Sequence, residues 1–182
     1  MDRKILWLGL LTLLGFGFSG LVLVYFFQES TVLELFTKGW TWGWQIFWGL
    51  ISGIIASVIA IWIIKRPFFE NRRNYYHRMI NQWEWDQGKI IFVSLCAGIG
   101  EELFFRAGLQ PLLGLWTTAV LFVVLHGYLH LFDWRISVYG LAMVLIIAFF
   151  GFLFQKVGLF SVITAHATFD WILLTWMTTK SK

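Results

Sequence analysis

Cysteine and charge are what this chain has least of. Its single cysteine, Cys96, stands in an apolar segment, which excludes an intramolecular disulfide and any cysteine-clustered zinc site. Charged residues make up 13% of the 182 positions, against roughly a quarter in an ordinary soluble domain. Hydrophobic residues make up 59% and the mean hydropathy is +0.74, so the chain reads as a membrane protein without a soluble domain of ordinary size. Also missing are the HExxH and G-x-S-x-G signatures, and nothing marks Cys96 as a nucleophile. The net charge of +4 calls for no nucleic-acid partner.

What the chain has is long apolar runs. They predict an all-α polytopic membrane bundle with six spans, at 5–27, 40–64, 90–109, 112–131, 136–154 and 159–178, each long enough for the ~30 Å hydrocarbon layer. The first run follows Asp2, Arg3 and Lys4; it is too long for a signal-peptide core and lacks a small-x-small cleavage site, so it reads as an anchor. An even number of spans puts both termini on one side, with Lys65, Arg66, Arg72, Arg73, Arg78, Lys89, Arg135, Lys180 and Lys182 beside Arg3 and Lys4, and only Lys38 and Lys156 opposite. The positive-inside rule makes both ends cytoplasmic. Trp40, Trp42, Trp44 and Trp134 fit interfacial belts. Between the second and third spans, Phe68, Tyr75, Tyr76, Met79, Ile80 and Trp83 recur at helical spacing among arginines, which predicts an amphipathic helix lying on the interface, either a topological anchor or a lipid-responsive switch favoured by anionic lipid. The organisation expected is an N-terminal part, 1–89, with two spans and this segment, and a four-span part, 90–182.

Against that apolar background the charges inside the spans stand out. Each of Glu101, Glu102 and Arg106 costs on the order of 3 kcal/mol at the centre of a spanning helix, which marks a functional site. Residues four apart share a helix face, so Glu102 can pair with Arg106, while Glu101 projects about 100° away. Ala97, Gly98 and Gly100 would let a neighbouring helix approach closely. Phe122, His126 and His130 share one face of the fourth span, His126 deep and His130 near the inner edge. His166 and Asp170 share a face of the sixth. At ~1.5 Å per residue, Glu101 and His166 lie roughly 10 Å from the outer end, Asp170 nearer 17 Å and His126 nearer 20 Å, so one polar cavity can collect them. Plainer readings exist for each: a structural buried ion pair, a packing histidine, an interhelical hydrogen-bond clamp. Taken together the groups offer a carboxylate and an imidazole to activate water, with polar groups left to stabilise an oxyanion, which is hydrolytic apparatus.

The set Glu101-Glu102-x-x-x-Arg106, Phe122-x-x-x-His126 and His166-x-x-x-Asp170 resembles the three ordered motifs of the CPBP family of intramembrane endopeptidases, the CAAX-protease and bacteriocin-processing group formerly called Abi proteins. The resemblance covers about 90–178, near half the chain, and implies a glutamate-dependent protease acting on a peptide or protein substrate in or at the bilayer; the chain's small size and simplicity suggest a prokaryotic cell membrane. The resemblance also implies that Glu101 and His126 position and deprotonate water, that His166 and Asp170 serve the oxyanion or orient the site, and that Glu102 and Arg106 form a supporting pair. The family is commonly labelled metalloprotease, so a divalent ion such as zinc stays open. Many members carry Asn where this chain has Asp170, and Asp donates a hydrogen bond only when protonated. Two alternatives are a non-catalytic immunity, scaffold or maturation factor of the same family and a small proton-coupled transporter, the latter weakened by the absence of an internal repeat or of paired Gly/Pro-broken helices.

Overall fold

A computed structural model describes residues 3–29, 31–129 and 133–179; Asp2, His130, Leu131, Lys180 and Lys182 lie outside the described residues. Helix α1, Arg3–Phe27, is lipid-facing for most of its length and carries a π-helical turn at Thr12–Phe16. A short α2, Val32–Thr37, starts where the Thr31 hydroxyl accepts from the Glu34 N–H, and α3 follows as Trp42–Ile64. A 3₁₀ turn, Pro67–Phe69, leads into α4, Glu70–Ile80, a helix at the position of the expected amphipathic segment with no fully buried residue. Helix α5, Gln87–Glu102, is capped by the Asp86 carboxylate, which accepts from the Lys89 N–H at 2.9 Å. That backbone donor holds the Asp86 carboxyl below its usual range.

From α5 the chain runs on through a π-helical stretch, Leu103–Leu109, into α6, Gln110–Leu113. After a turn at Gly114, α7 spans Leu115–Leu125, α8 Trp134–Lys156 and α9 Leu159–Thr178. Among the described residues, α1, α3, α8 and α9 are the four helices long and apolar enough to cross a membrane. The other two expected spans differ from expectation. The third is a long helical rod, but it carries the site's charges and a π turn. The fourth, expected over 112–131, is an 11-residue helix of only ~16 Å. It stops where Gly127 takes φ +73°, a left-handed value that ends a helix; the Phe122 carbonyl accepts both the His126 backbone N–H at 3.1 Å and the His126 ring Nδ1–H at 2.7 Å, so the last turn is capped by the imidazole.

Small residues set the helix crossings. The most extensive contact is α3 on α9. There Gly49 and Gly53 lie against the backbone of Ser161 and Ala165 and against Thr164 and Thr168, so neither glycine has space for a side chain. Helices α1 and α5 run parallel: Gly9 meets Phe92, Gly100 meets the Thr12 backbone, and Gln28 Nε2 donates to the Ala107 and Gly108 carbonyls at 2.6 and 3.1 Å. The N-terminal helices thus buttress the rod that carries the carboxylates. Gln87 Nε2 reaches Thr175 Oγ1 at 3.4 Å, which puts the start of α5 and the end of α9 at one end of the bundle. At the other end the Trp40 N–H donates to the Val157 carbonyl at 2.8 Å. Exposed Trp7, Leu11, Phe18, Trp62, Leu141 and Leu145 make an apolar outer surface, the surface a bilayer solvates.

Candidate active site

The end of α5 aims its two carboxylates in different directions, as their one-residue separation requires. Glu102 is fully buried and holds two partners, one on each carboxylate oxygen. Its Oε2 accepts from Arg106 Nε at 3.0 Å and its Oε1 lies 2.7 Å from His166 Nδ1 on α9. Arg106 is equally buried; its Nη1 donates to Gln110 Oε1 at 3.2 Å, its Nη2 has no hydrogen-bond partner, and the guanidinium sits 5.9 Å from the Phe122 ring centre. Gln110 Nε2 passes the chain on to the Gly151 carbonyl of α8 at 3.0 Å. Buried charges and amides of this kind persist only when each finds partners, and here the partners come from α5, its π-helical extension, α6, α8 and α9.

Glu101 points instead to α7. Its Oε2 stands 3.3 Å from His126 Nε2, close enough for an ion pair but not aligned as a hydrogen bond, and that oxygen is buried without any hydrogen-bond partner. The His126 ring is fixed from two sides: Nδ1 donates to the Phe122 carbonyl, and the Phe122 ring stacks on it at 4.1 Å with 12° between planes. Because Nδ1 carries its proton, the space between Nε2 and Glu101 is where a further proton is shared. His166, 5% exposed, turns Nδ1 to Glu102 and Nε2 to Asp170 Oδ2, the latter at a loose 3.5 Å. The six residues singled out from the sequence thus form two polar groups, Glu101 with His126 and Glu102 with Arg106, His166 and Asp170, which meet across the Phe122 ring, 4.1 Å from the His126 ring and 5.8 Å from that of His166.

Asp170 lines a cavity of about 200 Å³ bounded by Arg72, Tyr76 and Ile80 of α4 and by Tyr128, Leu173 and Met177. Tyr128 stacks 6.2 Å from His126, so the cavity wall backs directly onto the histidine. Burial pushes the Tyr76 phenol above its ordinary value, with the Arg72 charge opposing, which keeps a neutral hydroxyl at the cavity's α4 wall. Sequence reasoning missed Gln110, Tyr128 and Gly151. Gln110 had a signal, since it lies four residues beyond Arg106 as Arg106 lies four beyond Glu102; the other two act through tertiary contacts that no local spacing encodes.

A resident zinc ion does not fit this donor set as it stands. Both His166 ring nitrogens already face carboxylates and His126 Nδ1 is spent on a carbonyl, so an imidazole-rich tetrahedral site would require these contacts to break. Among the described residues no group of three or more His, Cys, Asp or Glu side chains is arranged to hold a metal.

Residues 83–172 match the family model described as Rce1-like, Type II CAAX prenyl endopeptidase, a range that contains every residue of the network from Glu101 to Asp170. The uncharacterized protein YpbD of Bacillus subtilis strain 168 is 37% identical over 83 residues, 44% of this chain. That match spans 41% of the relative's own length. No solved structure matches the chain. Over residues 83–172, the part of the chain that holds all three motifs, the protein matches the Rce1-like group of the CPBP family.

Proposed function

We propose that this protein is an intramembrane endopeptidase that hydrolyses a peptide bond with a water molecule activated by Glu101 and His126. The observation that carries the reading is the buried Oε2 of Glu101, which has no hydrogen-bond partner among the described residues and faces His126 Nε2 at 3.3 Å, a proton acceptor poised beside a fixed imidazole. A water hydrogen-bonded to Glu101 beside His126 gives a proton to the carboxylate as its oxygen bonds to the substrate carbonyl carbon. The oxyanion takes a hydrogen bond from His166 Nε2, whose nearest acceptor, Asp170, is only loosely engaged. Glu101 then returns its proton to the leaving nitrogen as the C–N bond breaks. Glu102 and Arg106 are positioning residues that hold His166 and the π-helical turn. No step in this reading passes through a metal. Substrate enters as an extended peptide by the cavity that ends at Asp170, whose apolar walls suit hydrophobic side chains.

The direct test compares new N-termini in membranes that carry wild-type protein or Glu101→Gln at equal levels. The reading expects termini that disappear with the variant, because the amide copies the carboxylate's shape but accepts no proton. Wild-type processing by Glu101→Gln would instead favour a non-catalytic role in scaffolding or maturation.

A further inference from the structure

A second polar pocket, of about 540 Å³, lies outside the catalytic network, between α4 and the start of α8. Its walls include Asn71, Arg72 and Arg78 from α4 and Asp133 and Arg135 from the N-terminal end of α8, with Phe68, Tyr75 and Trp134 around them. One carboxylate is set against three guanidinium groups. Arg72 pairs with Asp133, whereas Arg78 and Arg135 make no ion pair among the described residues. The Arg135 guanidinium is already held 5.4 Å over the Phe68 ring, which itself packs on Trp134. The pocket thus brings two guanidinium groups without a carboxylate partner among the described residues to one cavity wall, Arg135 already held on the Phe68 ring, and such forks suit the oxygens of a tetrahedral oxyanion. Its depth relative to the membrane follows from its neighbours. Trp134 is 65% and Tyr75 51% exposed at the end of the bundle where α3 leaves the apolar zone, the level at which such rings meet headgroups.

We propose that this pocket binds a phosphate group presented at the membrane surface, with Arg78 and Arg135 as its principal ligands. The group is either the headgroup phosphate of an anionic lipid or a soluble phosphate. The full-length protein in micelles is titrated with phosphatidylglycerol, with phosphatidylcholine and, separately, with inorganic phosphate, and bound adducts are counted by native mass spectrometry. The expected result is preferential retention of phosphatidylglycerol and a roughly thirtyfold weaker interaction for Arg78→Gln/Arg135→Gln. Arg73→Gln, which removes a charge outside the pocket, serves as the control and should change little. Equal binding by inorganic phosphate would assign the soluble source. A control as weak as the double variant, or a double variant that binds like wild type, would overturn the site.

Discussion

The difference between Glu101 and Glu102 lies in what each touches. Glu101 keeps one oxygen free beside His126, while Glu102 spends both oxygens on Arg106 and His166. Glu101→Gln should therefore abolish hydrolysis and leave the thermal melt nearly unchanged. Glu102→Gln should cost about 3 to 5 kcal/mol, because it strands a buried guanidinium, and should appear first as a lowered melting temperature in micelles. Equal melts for the two variants would show that the roles are not divided this way. Asp170 presents a separate test. An Asn there keeps a carbonyl oxygen and gains a donor, so Asp170→Asn should retain substantial activity that is indifferent to chelator. Chelator-sensitive activity restored by zinc would place a metal ligand at this position and reject the metal-free reaction.

At the scale of helices, the polar pairs were readable from the sequence because four-residue spacing is a property of the helix itself. Glu102 with Arg106, and His166 with Asp170, needed no tertiary information. The end of α7 was not readable. Hydropathy counts apolar side chains, and Leu125, Tyr128 and Leu129 keep the count high past the point where an imidazole caps its own helix and Gly127 turns the chain. The π-helical turn after Glu102 was equally hidden, since no residue type requires it; it is held by Gly20 packed on the Leu103 carbonyl and by Gln28 bonded to Ala107 and Gly108. The α3–α9 crossing makes its own prediction. Gly53→Val has no space against Ala165 and Thr168, so it should lower stability by about 1 to 3 kcal/mol and reduce activity by moving His166, one residue from the contact. A melt unchanged by Gly53→Val would mean that the helices separate at little cost.

For the whole molecule, the antiparallel run of the major helices returns the chain to the end of the bundle where it starts, with most basic residues at that end. Reporters fused near Arg72 and after the C-terminus should therefore both be cytoplasmic, and one near Glu34 external; a split between the first two would break the topology. The bundle is not equally tall all round. Most of its outer helices match the hydrocarbon layer, but α7 reaches only about half of the ~30 Å and ends at His126. Lipid beside it must thin, or water must dip, to meet that early end. If the proposed hydrolysis holds, acyl-chain length then becomes a throttle on the reaction's own reagent. Hydrolysis measured in vesicles of increasing chain length should slow as thicker hydrocarbon closes over the imidazole, while protein level and orientation stay constant. In effect the membrane meters the water.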